Sequence, residues 1–290
     1  GQEHETSLEK FEILNVVSDV SKGDLTGSYI ESDRRVAVFG GHQCANVPID
    51  VCCCDHLEEQ LIPVNSWGKF YVVGKSFDRG KAPDYIRVMA SEDNTSVSVD
   101  PPVVSVPKLN AGKYFDFTTL NHCVITSDKP VLVGQYLAGQ DAPEPGHSTC
   151  EDTLIFGMKC DGDPFGKSCN SDEDCSPGDA NIGDPAFFII PPVEQFRNDY
   201  IFLAPNKYAQ DYITIVAPAG ATVNFDDAPV SQSQFKIIGP GTYQAAYFLI
   251  SDGVHTISSD KPVGVSVYGW DQYVSYGYAA GMNVETINLK

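Results

Sequence analysis

The densest group of reactive side chains in this 290-residue sequence is His42, Cys44, Cys52, Cys53, Cys54, Asp55 and His56. Imidazoles and thiolates this close could converge on one zinc ion. The regular C-x₂₋₄-C spacing of such a site is missing. The competing reading is oxidative: Cys44 pairs with one of Cys52 to Cys54, and the histidines hydrogen-bond the loop. Along a strand, Cys52 and Cys54 would share one face and Cys53 the other. Disulfide geometry disfavours bridges between immediate neighbours. The three should therefore reach different partners, one being Cys44 and another Cys123.

Four more cysteines, Cys150, Cys160, Cys169 and Cys175, fall in the loop CEDTLIFGMKCDGDPFGKSCNSDEDC. Few apolar residues are present to hold it by packing, so two bridges among the four are expected to supply its order. Asp161, Asp163, Asp172 and Asp174 offer hard oxygen ligands and are a candidate calcium set, although their spacing does not fit an EF-hand. The alternative is a solvated acidic loop. Thiols clustered in this way imply an oxidising compartment, hence a secreted or cell-surface location. An odd count of 9 leaves at least one cysteine without a partner in the chain.

A third group is aromatic. The stretch YGWDQYVSYGYAAG holds Trp270, Tyr273, Tyr276 and Tyr278 just after Tyr268. Rigid apolar rings with a polar tip suit recognition of a protein or a glycan. Alternatively, Tyr268 and Trp270 belong to the core and the others cap a sheet edge.

Catalysis is harder to build. There is no G-x-S-x-G elbow, P-loop or dinucleotide fingerprint, and the 6 histidines lie in dissimilar contexts. No catalytic residue is assigned, the chain is read as a non-enzyme, and no cofactor other than calcium is implied. A net charge of −20, from 19 Lys+Arg against 39 Asp+Glu, repels nucleic acid and anionic membrane. No run approaches the roughly 18 apolar residues of a membrane span, so this segment is not expected to insert into a bilayer.

The elements that must position these groups are strands. One phrase occurs three times: IESDRRVAVF from Ile30, ITSDKPVLVGQY from Ile125 and ISSDKPVGVSVY from Ile257. Its aspartate suits an Asx-turn, its proline the opening of a strand, and the alternating valines that follow turn one face to a core. LIPVNSWGKFYVV from Leu61 matches IIPPVEQFRNDYIFL from Ile189, and DYIRVMASEDNTSVSVD from Asp84 matches DYITIVAPAGATVNFDD from Asp211. Repeated order of this kind, with Gly, Pro, Asn and Asp turns, predicts an all-β chain of tandem β-sandwich-like domains with a disulfide-rich loop insertion.

Residues 58–139 form one copy, 140–184 the insertion, and 185–290 a second copy with the aromatic segment. Residues 1–57 supply the closing strands of an incomplete first repeat plus the cysteine motif. FEIL at Phe11 matches FKII at Phe235, and nothing before it corresponds to earlier strands. The chain therefore reads as part of a longer one.

ESDRRVAVFGGHQCANVP followed by CCDHLEEQLIPVNSWGKFYVV resembles the N-terminal region of the IgG Fc-binding protein family, and SDKPVGVSVYGWDQYVSYGYAAG is similar to the closing segment of that region. The resemblance implies a secreted, repeated β-domain used for adhesion or binding of an extracellular protein or glycan. A structural spacer of stacked β-domains is the alternative. The insert CDGDPFGKSCNSDEDC departs from the animal pattern and looks like the small Cys/Asp modules of bacterial surface proteins.

Overall fold

A computed structural model describes residues 3–20, 23–79, 82–142 and 182–288, with the backbone of 150–152 and 158–160. Among these residues there is no α-helix, only strands and short 3-10 turns. The chain is all-β.

A hairpin comes first, β1 (Phe39–Ala45) against β2 (Asp55–Gln60). The first unit follows: β3 (Gly68–Val73), β4 (Asp84–Ala90), β5 (Val97–Asp100), β6 (Tyr114–Thr119) and β7 (Cys123–Leu137). In the insertion, β8 (Cys150–Asp152) pairs with β9 (Met158–Cys160). β10 (Ala186–Ile190) leads to the second unit: β11 (Arg197–Ala204), β12 (Gln210–Pro218), β13 (Val223–Phe225), β14 (Ala228–Pro229), β15 (Lys236–Ile238), β16 (Tyr243–Ile250), β17 (Gly253–Asp271) and β18 (Val274–Ala279).

The two units pair their strands alike. β7 takes β3, β4 and β5 as neighbours, and β4 takes β6. β17 takes β11, β12 and β13, and β12 takes β16. Tyr71 lies opposite Ile125 as Tyr200 lies opposite Ile257. Each of these buried tyrosines donates its hydroxyl at 2.5 Å to a strand carbonyl, that of Val131 or of Val263. Each accepts a backbone N–H in return, from Gly68 at 3.1 Å or Arg197 at 3.0 Å.

The repeated phrase does not open a strand. It is a corner inside one long strand that serves two sheets. The first half of β17 pairs with β11 and β13, the second half with β12 and β18. Residues 260–262 belong to neither ladder, so Pro262 costs no strand hydrogen bond. Asp260 accepts the N–H of Thr222 at 2.8 Å, and Asp128 that of Ser96 at 2.8 Å. The aspartate thus ties the corner to the neighbouring segment instead of closing an Asx-turn.

Alternating residues fill the space between the sheets. Ile86, Val88, Ile125, Val133 and Phe188 do so in the first unit, Ile213, Ile215, Ile257, Val265 and Val267 in the second. The outer face of β12 and β16 then packs on the first unit, where Val216, Ile238 and Ala245 cover Val72 and Val124. A Cβ on Gly74 would come within 2.4 Å of a Thr214 methyl, so glycine is what lets the units approach closely. Phe77 stacks on Tyr212 at 4.4 Å and donates its N–H to the Tyr268 hydroxyl at 2.8 Å.

Two boundaries differ from those expected. β10 pairs with β7, so residues 186–190 close a sheet of the first unit, just as β18 closes one of the second. Residues 3–38, read as including closing strands, hold no strand among the described residues, and Phe11 and Ile13 are each 90% exposed. A strand needs a neighbour for its N–H and C=O groups, and none of the described residues lends an edge to this stretch. It touches the first unit around Asp24, which bonds the Tyr114 hydroxyl at 2.7 Å, and Thr26, which accepts from Arg87 at 3.0 Å.

Candidate functional site

Three hairpins occupy the same place in the fold: β1–β2, β7–β10 and β17–β18. Their connections are residues 46–54, residues 138–185 and residues 272–273. The cysteines other than Cys123 all fall in or beside the first two connections. The three connections meet. Gly139 donates its N–H to the Val47 carbonyl at 2.9 Å, and Gly183 to the Asp271 carbonyl at 2.7 Å. Asp184 N–H donates to Ser275 Oγ at 2.7 Å, and Tyr273 N–H to Gln140 Oε1 at 3.3 Å.

Arg79, on the segment between β3 and β4, is the hub. It is 4% exposed, donates to the carbonyls of Ala138 at 2.6 Å and Ile182 at 2.5 Å, and lies 4.8 Å over the Trp270 ring. Burial pulls its pKa down to about 10, against the pull of Asp84 and Asp184. Burial, with Asp55 and Asp141 nearby, pushes Asp184 up to about 6. Arg79 Nε, Trp270 Nε1 and Asp184 Oδ1 are buried with no hydrogen-bond partner among the described residues.

Cys44 bridges to Cys54, with Cα atoms 4.9 Å apart. Cys52 bridges to Cys53, which corrects the expectation that neighbours do not pair: their Cα atoms lie only 3.0 Å apart across a cis peptide. The expected bridge to Cys123 is also corrected. That thiol is free and fully buried on the core face of β7, where burial pushes its pKa up to about 12. With all four sulfurs of residues 44–54 in disulfides, no thiolate is left there for zinc. His42 Nδ1 accepts the Cys44 N–H at 3.0 Å, and His56 is exposed beside Glu58. The predicted bridges among Cys150, Cys160, Cys169 and Cys175 involve side chains outside the described residues. So does the calcium set Asp161, Asp163, Asp172 and Asp174.

The aromatic candidates divide. Trp270 is fully buried under Arg79 and serves the core. Tyr276 donates its hydroxyl to Asp211 at 2.5 Å, and Tyr278 to the Leu203 carbonyl at 2.6 Å, which fastens β18 to the rest of its unit. Their rings remain half-buried beside Tyr208, whose centroid is 4.6 Å from that of Tyr276. Tyr273, at the tip of the third connection, is 52% exposed. Tyr208 and Arg79 were missed by sequence reasoning because each sits in a polar loop with no periodic signal. His255 has both ring nitrogens engaged, by Asp226 at 2.7 Å and the Ser251 carbonyl at 2.6 Å.

The architecture is thus a pair of stacked β-units with connections of unequal length gathered at one place. The family profile described as IgGFc binding protein matches residues 1–269. The human IgGFc-binding protein is 36% identical over 282 residues, which cover 92% of this chain and 4% of that protein. The chain belongs to the IgGFc-binding protein family. Both matches are named for binding, neither for catalysis, and neither supports the bacterial resemblance of the insert. A solved chain described as an anti-sigma factor domain-containing protein aligns over 73% of this chain and 81% of its own at 9% identity, with a TM-score of 0.17 that carries no argument.

Proposed function

We propose that this chain is a non-catalytic, extracellular binding or adhesion segment whose partner, a protein or a glycan, is met where the three connections converge. One observation carries the reading. The principal strands pair alike in both units, while the connections differ greatly in length and come together around Arg79. A constant scaffold with variable loops at one place is the usual arrangement of a recognition surface. Tyr273 supplies an exposed ring at the turn that opens β18, and Tyr208, Tyr276 and Tyr278 form a group of neighbouring rings on β18 and the loop before β12. The disulfides suit an oxidising, extracellular setting.

The human relative is named for IgG Fc, so Fc is the first protein to test. The full chain is immobilised and presented with Fc, and applied separately to a glycan array. Saturable binding to either supports the reading, and no binding to both removes it. A second reading, a spacer of stacked units, is favoured by the apolar junction of Val72 and Val124 with Val216, Ile238 and Ala245. It predicts no ligand and a rigid, elongated particle in small-angle scattering.

A further inference from the structure

The first-unit face that receives the second unit has a counterpart on the second unit, and there it is bare. The registers set Val72 opposite Val124 and Ile201 opposite Thr256, so Ile201 holds the place of Val72. By the same count Leu203 holds the place of Gly74, and Val254 that of His122. Val72 and Val124 are 1% and 4% exposed. Ile201, Leu203 and Val254 are 76%, 54% and 69% exposed. β11 alternates cleanly, with Tyr200, Phe202 and Ala204 buried, so Ile201 and Leu203 lie on its outer side, with Val254 of β17 opposite Leu203.

Ser66 and Gln195 hold equivalent places in the 3-10 turns 64–66 and 193–195. Gln195 Nε2 donates to the Ser66 carbonyl at 3.2 Å, so the second turn stacks on the first. Glu285 lies in the segment that follows β18. Its N–H donates to Gln195 Oε1 at 3.1 Å, its carbonyl accepts from Gln195 Nε2 at 2.9 Å, and Asn283 N–H donates to the Gln195 carbonyl at 2.8 Å. The segment after β18 thus lies against both turns, since the N–H groups of Ile287 and Asn288 also donate to the Asn65 carbonyl at 2.9 and 3.0 Å.

We infer that Ile201, Leu203 and Val254 form the docking face for a third β-unit of this same repeat, stacked head to tail. The occupant presents small apolar residues, as Val216 and Ala245 do on the second unit. Such a contact uses different surfaces on its two sides, so it extends an array rather than closing a pair. Leu203 adds a side chain where Gly74 has none, so the third unit stands further out and carries a small residue opposite it. The proposal does not rest on the binding reading, since Tyr273 takes no part in it.

The test compares the full chain with a lengthened one in which residues 197–290 are repeated after Thr286, the added copy carrying T214A so that a small residue faces Leu203. L203C and V254C are introduced into each, with I237C on β15 as an exposed control, and maleimide labelling is followed under native conditions. The L203C and V254C thiols should label about tenfold or more slowly in the lengthened chain, as groups that need local opening do, while I237C is unchanged. Equal labelling in both chains, or an appended unit that does not fold, overturns the proposal. In the unlengthened chain, L203S should leave the melting temperature unchanged while V72S lowers it by several degrees. A fall with L203S would show the face already in use and count against it. Self-association of the full chain in sedimentation, abolished by L203E, would make a second copy the occupant and overturn the tandem reading.

Discussion

Two aspartates at the same register position are kept in different ways by the two units. Asp84 and Asp211 lie at the start of β4 and β12 and are each 2% exposed. Asp84 accepts the Ser76 N–H at 2.7 Å, the Ser76 hydroxyl at 2.5 Å and the Gln135 amide at 2.6 Å, with buried Lys75 Nζ at 4.0 Å. Asp211 receives the Tyr276 hydroxyl at 2.5 Å. Val267 stands where the first unit has Gln135, and Ala204 where it has Lys75. Burial, with Asp252 nearby, raises the Asp211 carboxyl above its usual range. The repeat thus preserves backbone register while each copy neutralises its buried charge by its own means. The first unit's aspartate holds Ser76, next to the Phe77 that meets the second unit, and the second's holds Tyr276 on β18.

The largest expected effect is at the junction. D84A leaves Lys75 buried with only the exposed Asp78 and a carbonyl as partners, and should cost about 3 kcal/mol or more in urea unfolding. D211A removes one hydrogen bond and relieves a raised carboxylate, so about 1 kcal/mol is expected. Equal losses would break the comparison. Y71F and Y200F sharpen it from the other side. Each deletes a hydroxyl with the same two strand partners, so both should cost about 1–2 kcal/mol, matched within roughly 0.5 kcal/mol. A large mismatch would show that the units differ in more than their charge compensation.

The smallest effect is in pH dependence. Burial raises Glu59 from 4.5 to about 7, opposed by the Ile189 N–H. The folded state then holds a proton that the unfolded chain has released, so this residue's contribution to stability falls as pH rises from about 4.5 to 7. His122 works in the opposite direction. Burial beside Lys236 and Lys75 lowers it to about 4, so stability rises as pH climbs from about 4 to 6.5. Melting curves of E59Q should show a weaker decline toward pH 7 than the original chain, and parallel curves would reject the Glu59 assignment.

The all-β class was legible because valine alternation and turn residues leave local marks, and ITSDKPVLVGQY and ISSDKPVGVSVY lie on β7 and β17. That the proline marks a corner between sheets was not legible, since a strand's change of partners leaves no local pattern. Cys44 was traceable to residues 52–54 because a short loop limits its partners. Cys123 was not, because which residues of β7 face the core is set by its register against β3. The Arg79 hub left no mark at all, since its partners at 138, 182 and 270 are remote in sequence. Non-reducing peptide mapping should recover Cys44–Cys54, Cys52–Cys53 and a free Cys123.

Recognition at the converging connections is tested most directly by comparing two variants on whichever Fc or glycan ligand the full chain binds. Y273A removes the exposed ring at that place, while I237A removes an equally exposed apolar residue from β15. Y273A should weaken binding about tenfold or more, as loss of an aromatic anchor does, and I237A should leave it unchanged. If Y273A binds as tightly as the original chain, or I237A loses as much, the binding surface lies elsewhere and the account is contradicted.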